Sequence, residues 1–425
     1  MRDMANLKGI KMIIAGIIVL ILSSCYDKVE LEDRGLVMTI GIDKYQRESM
    51  SEDRSDNQES QSSGESNNYN MAGYSEQSGQ NSSEANTEIL KFENENGNNR
   101  FTVTINKANI QNLIGESESE NHTIIVNHET IAGAINIMNL YSNQNMYLGY
   151  AEAVVLGETL LEDEELFREA IDTLERNREI SREIFVVSTK GSAKDVLSES
   201  IKSDKVLGMF VSKFYKNNNS IGSARVFHKN LESLSKSLYR TENAIIPKLE
   251  IDDGNVKLNG VAIIKDFRLK QWLNATSIKG YLWILGKGEG ITISTKINDT
   301  YVPLNINKNT KRINFSEDNG KLICEVDLKI SGTIEGYNFA KGGLFDKDLL
   351  DKLSLKYKKI IKNEIEETFH LFQNVYLIDA FELFELLQKK DYSLYTKYKD
   401  LENSFNSMQM RTNVTVEITS IGSIK

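Results

Sequence analysis

Proline and cysteine are almost absent. Each occurs twice in 425 residues, as Pro247 and Pro303 and as Cys25 and Cys324. So few prolines exclude Pro-rich linkers and polyproline recognition segments. The two cysteines have no metal-site spacing, and neither do His122, His128, His228 and His370. Basic residues are outnumbered, with a formal charge of −10. That balance argues against nucleic acid as a partner and against a polybasic membrane patch. The chain also lacks the G-x-S-x-G and H-E-x-x-H patterns and any Cys/His pair of catalytic form. No active site, metal or cofactor is therefore expected, and the chain is expected not to be an enzyme.

Hydrophobic runs are short, with one informative case at the start. Arg2, Lys8 and Lys11 precede an unbroken apolar stretch from Met12 to Leu22. This is the charged and apolar sequence of a secretory signal. Eleven helical residues rise about 16 Å, against a hydrocarbon core of roughly 30 Å, so the run is too short to span comfortably. It ends in Leu22-Ser23-Ser24-Cys25, which resembles the bacterial lipobox. Small residues let the peptidase approach the backbone, and the Cys25 thiolate is the group that takes the diacylglyceryl chain. Two acyl chains, at about 0.8 kcal/mol per buried methylene, make such an anchor effectively permanent. Cys25 is thus the expected lipid-attachment site, with 1–24 removed as signal peptide. Cys324 is then alone, in an alternating stretch where a small buried side chain is expected.

At this length two or three domains are expected. Leu36 to Asp43 predicts a buried first strand. Composition then collapses, because Gln46 to Glu88 contains no Val, Ile, Leu, Phe or Trp. Such a segment cannot offset its ordering entropy and is expected to be a disordered insertion. Order resumes at Ile89, and Phe101 to Ile105 predicts another strand. Beyond it, helices are predicted over Thr130–Leu140, Glu162–Asn177 and from Ser192, with strands at Ala153–Gly157 and Ile184–Val187. This β-α-β alternation predicts a mixed sheet covered by helices. Residues 200–255 mix helical stretches with polar turns. The last part predicts strands at 256–265, 269–273, 291–297, 313–315, 322–330 and 413–418, and a long helical region from Leu349 to Gln388. The expected class is α+β, in three mixed domains after the signal: 25–199 with its 46–88 insertion, 200–255, and 256–425. Gly286-Lys287-Gly288-Glu289-Gly290 has glycines like those of a phosphate loop. It lies between two strand patterns with no helix after it, so it is expected to be a turn.

The ordered motifs resemble the Ger(x)C family, the C-subunit lipoproteins of spore nutrient germinant receptors. The resemblance begins at Cys25-Tyr26-Asp27 and Glu30-Leu31 and runs through Thr39-Ile40-Gly41-Ile42-Asp43-Lys44, Tyr147 to Glu158 and Val186 to Leu197. It continues in Gly260 to Lys265, is strongest at Gly280 to Lys287, and includes Gln373, Asp379 and Val414 to Gly422. Tyr26 stands where the family usually has Trp, a late Trp is missing, and Ala380-Phe381-Glu382-Leu383 replaces a glycine-rich segment.

The resemblance implies a three-domain α+β lipoprotein on the outer face of the spore inner membrane, with no catalysis of its own. It implies assembly with two integral membrane partners, the A and B subunits, into a receptor that senses small nutrients. A lipid-anchored extracytoplasmic solute-binding protein is the alternative, but it would need two similar wound lobes, and the halves here are unlike. A surface hydrolase would need a nucleophile and a base. Replacing Cys25 by Ala should abolish acyl labelling and release or mislocalise the protein. An unmodified Cys25 in membrane-bound mature protein, seen by mass spectrometry, would contradict the anchor.

Overall fold

A computed structural model describes residues 34–47, 88–93, 98–108, 122–140, 145–199, 206–217, 228–252, 255–297, 300–335, 347–399 and 404–421. The expected signal peptide, 1–24, and Cys25 lie outside these residues. So does the expected 46–88 insertion, apart from its first two residues and its last.

Among the described residues the first sheet has ten strands: β1 (Arg34–Lys44), β2 (Glu88–Glu93), β3 (Phe101–Ala108), β4 (His122–His128), β5 (Asn145–Tyr147), β6 (Ala153–Gly157), β7 (Phe185–Thr189), β8 (Ala244–Asp252), β9 (Asn255–Lys265) and β10 (Arg268–Leu273). Their order is β10-β9-β8-β7-β6-β1-β3-β4-β2, with β5 beside the start of β1. Strands β1, β6, β7 and β8 run parallel at the centre, and antiparallel pairs flank them on both sides. Every residue of β6 is buried, as expected of a parallel strand covered on both faces.

One face carries helices Ile131–Leu140, Glu164–Arg176 and Leu231–Thr241 over Ile40, Val154, Leu156, Val186 and Ile246. Glu164–Arg176 starts where Asp163 accepts from the Leu166 N–H at 3.1 Å, and its buried Leu166, Phe167, Ala170, Ile171 and Leu174 form one stripe. The other face is covered in its middle by helices Ala193–Ser198 and Leu207–Asn217, over Val155, Val187 and Leu249.

The second sheet has the order β11 (Thr292–Ile297), β12 (Thr300–Asp318), β13 (Lys321–Ile334), β14 (Gln409–Ile421). The first three are antiparallel. Strand β14 lies parallel to β13, so the chain must cross over, and the described helices between Lys347 and Ser407 lie along that crossover. Leu322, Cys324, Val326, Leu328 and Ile330 of β13 face a core formed with Tyr357, Ile361 and Ile365 of helix Lys347–His370. That core also contains Ile245, Val261, Ile263 and Leu273 of the first sheet.

The α+β class holds, while several local expectations are corrected. Strands 256–265 and 269–273, expected in a C-terminal domain, are the outer strands of the first sheet. The boundary expected at 255/256 falls at the start of β9, which pairs with β8 from Asn255 to Ile264. Helices Leu207–Asn217 and Leu231–Thr241, expected in a middle domain, lie on opposite faces of that sheet. The strand pattern expected before Gly286 is instead helix Lys279–Leu285, ended by Gly286 at φ +70°. The long helical region is broken: Lys347–His370 passes into a π-helical turn, Leu371–Tyr376, and a new helix begins at Leu383.

Candidate functional site

Among residues that the sequence marks out, Cys25 lies outside the described residues. The internal family motifs form three buried clusters, each satisfying its polar groups within the fold.

The first closes the end of β1. Asp43 is buried and accepts hydrogen bonds from the Ala193 N–H (2.8 Å), the Lys194 N–H (2.8 Å) and the Ser192 hydroxyl (3.2 Å). The two N–H groups are the first amides of helix Ala193–Ser198, so Thr39-Ile40-Gly41-Ile42-Asp43 and the Val186–Leu197 motif are two halves of one cap. Burial pushes the Asp43 carboxyl up to about 6, opposed by the two backbone amides and Ser192. Gly157 is required here, because a Cβ on it would stand 1.7 Å from Asp43 Oδ1.

The second surrounds Trp283. Its ring is fully buried, and Nε1 donates to Glu364 Oε2 at 2.7 Å. Burial raises the Glu364 carboxyl, an effect the Trp283 bond opposes. The glycine-rich turn folds over the ring, since a Cβ on Gly288 would meet it at 2.1 Å. Gly286-Lys287-Gly288-Glu289-Gly290 is thus a helix stop and a lid on a tryptophan.

The third orders the break after the long helix. Asp379 accepts from the Leu383 (3.1 Å) and Phe384 (2.9 Å) amides and caps helix Leu383–Lys390. Burial pushes it up to about 6, against the pull of those amides. Gln373 donates through Nε2 to the carbonyls of Phe405 (2.8 Å) and Met408 (2.6 Å), fixing the approach to β14. Glu382 sits at φ +56°, a left-handed conformation in which glycine would be least strained.

Helix Leu231–Thr241 meets helix Leu383–Lys390 through charge. Glu385 takes Lys389 at 2.7 Å, Arg240 at 2.5 Å and Lys236 at 3.3 Å. The Lys389 bond, then Lys236 and Arg240, hold its carboxyl down to about 2, against its partial burial. Cys324 is buried within β13, and burial pushes its thiol up to about 12, away from thiolate chemistry. Among the described residues no group of three His, Cys, Asp or Glu is arranged to hold a metal ion. No helix among them is long and apolar enough to cross a membrane. The histidine positions carried no functional signal, and the capping roles of Asp43 and Asp379 could not be read from composition alone.

Two family models match in order: the spore germination protein N-terminal domain over residues 89–251, and the spore germination B3/GerAC-like C-terminal domain over 259–422. The chain is 20% identical to spore germination protein B3 of Bacillus subtilis (strain 168), over 75% of this chain and 87% of that protein. It is 23% identical to spore germination protein YndF of the same strain, over 67% and 71%. A solved structure, the crystal structure of the GerBC protein, superposes with a TM-score of 0.52 at 16% identity, covering 75% of this chain and 93% of that one. That likeness concerns the fold.

The Asp43 cap has a pH signature. Its folded pKa lies above the ordinary 3.8, so the folded chain holds a proton there that the unfolded chain releases. The stability from this site is greatest in acid and is lost as pH rises through about 6. Asp43→Asn does not titrate and turns an amide nitrogen toward one backbone donor. Its cost should be about 1–3 kcal/mol near neutrality, and should grow as pH is lowered toward 4. Urea unfolding at both pH values measures this, and a cost that shrinks in acid would contradict the assignment.

Proposed function

We infer the role of this chain from its family: it belongs to the GerAC family of spore germination proteins, and it serves as the lipid-anchored, non-enzymatic C subunit of a germinant receptor. The observation that carries this is the ordered match of both family models to residues 89–251 and 259–422. The internal use of Asp43, Trp283 and Asp379 supports a structural rather than a catalytic role for the motifs. The lipobox-like Leu22-Ser23-Ser24-Cys25 supports attachment through Cys25. The subunit then stands on the outer face of the spore inner membrane beside integral A and B subunits. A solute-binding protein with two matched lobes is disfavoured, because among the described residues the two sheets have ten strands and four and unlike topologies.

An anchor confines the protein to a thin layer and raises its effective concentration near membrane partners. Individually weak contacts can then hold a complex together. Spores lacking the chain should lose the response to one set of nutrients, while germination by routes that bypass nutrient receptors stays normal. A form lacking Cys25 should restore the response poorly. Germination assays with partner levels measured alongside decide it. A normal response to every nutrient in spores lacking the chain, with no other receptor standing in, would overturn the assignment.

A further inference from the structure

The chain is acidic as a whole, yet one helix carries a concentrated basic face. From Lys347 to Lys362, helix Lys347–His370 has six lysines against Asp348 and Asp351, and no arginine. Its inner face is core, with Leu353, Tyr357 and Ile361 buried under the second sheet. Helical spacing then turns Lys352, Leu355 and Lys359 outward, with Lys356 and Lys358 on the flanks, and all five are exposed. Leu355 is 65% exposed, and the residues three and four away from it are Asp351, Lys352, Lys358 and Lys359. Lys356 Nζ donates to the Lys296 carbonyl of edge strand β11 at 2.5 Å. The Lys296 ammonium in turn lies 4.8 Å from the ring centre of Tyr301, which is 64% exposed. The basic face thus continues from the helix onto the sheet edge.

Helix stability gives no reason for this arrangement. Lys352 with Lys356, and Lys358 with Lys362, are like-charge pairs four residues apart, which destabilise a helix. The helix dipole favours cations in the last turn, and these lysines lie before it. Lys362 is offset by Glu366 at 3.6 Å, at the far end of the face. An exposed leucine among lysines also gains nothing from water.

We propose that this face docks on an anionic phospholipid surface, with Lys352, Lys356, Lys358 and Lys359 among the headgroups and Leu355 at the acyl boundary. Lysines near such a surface are attracted by its negative potential, and their stems lie along its apolar zone. An exposed apolar side chain framed by lysines is the chemistry of an interfacial helix. An acidic protein partner fits less well, because protein interfaces are depleted in lysine and enriched in arginine. The chain-wide excess of carboxylates argues against a polybasic patch, but the fold gathers one locally. That excess also repels the rest of the molecule from the same membrane, so the contact fixes the orientation of the protein. The proposal goes beyond the receptor assignment and needs no acyl chain.

The test is co-sedimentation of the mature chain carrying Cys25→Ser, so that no acyl anchor contributes, with vesicles of equal phosphatidylglycerol and phosphatidylcholine. Saturable binding is expected, weakening as salt is raised, with none to phosphatidylcholine alone. Lys352→Gln/Lys358→Gln/Lys359→Gln should bind at least about tenfold more weakly, since each lysine adds a separate attraction. Its melting temperature should not fall, because like-charge pairs are removed. Lys190→Gln/Lys270→Gln/Lys329→Gln removes the same charge from exposed lysines on other elements and should bind like the parent. Leu355→Ser should weaken binding about threefold or more through lost apolar contact. No binding to the anionic vesicles, undiminished binding by the helix variant or by Leu355→Ser, or an equal loss in the control would each overturn the proposal. An unmodified Cys25 in membrane-bound protein would remove the anchor and leave this result standing.

Discussion

The fold depends on one apolar seam, in which Ile245, Val261, Ile263 and Leu273 of the first sheet pack into the core of the second. A strand sends alternate side chains to opposite faces, so β8 and β9 each serve cores on both sides of the first sheet. Ala244, Ile246, Ala262 and Ile264 face the helices of the first sheet, while their neighbours face Trp283 and helix Lys347–His370. Full burial of an aliphatic side chain contributes about 1.5–3 kcal/mol, so the seam is large beside the marginal stability of a domain. Its consequence is topological. The C-terminal family match opens inside β9, yet β9 completes the N-terminal sheet. The two halves are contiguous in sequence but interlocked in space.

The motif residues serve this interlocking. Asp43 joins β1 to a helix start about 150 residues later, Trp283 joins the seam to the long helix through Glu364, and Asp379 with Gln373 fixes the turn back toward β14. Buried carboxylates are costly unless their oxygens are satisfied, and here backbone amides satisfy them. These side chains hold shape and leave no free nucleophile or base at the three places described. The proposed role, presenting surfaces to membrane partners, would require such fixed shape.

Much of this was legible in the sequence. The all-apolar β6, the alternating β13 and the amphipathic helix after Asp163 carry their structure in local pattern. Helix Lys279–Leu285 did not, because a short apolar run has no period that separates helix from buried strand. Strand β12 was seen only near its end, since Lys308 to Arg312 interrupt its apolar alternation beside a register shift. The pair Asn319-Gly320, both at positive φ, is the signal that would have revealed its hairpin with β13. The sheet that β9 and β10 join was not legible, because a strand's sheet is set by long-range pairing, which composition does not record. The three buried clusters were visible as motifs, but their partners lie too far along the chain to be inferred from spacing.

The central claim is that the two sheets and their shared seam form one cooperative unit. Differential scanning calorimetry of the mature chain tests it most directly. The account predicts a single transition whose calorimetric and van't Hoff enthalpies agree, with a ratio of about 1. Two resolved transitions, one for each sheet, would contradict it.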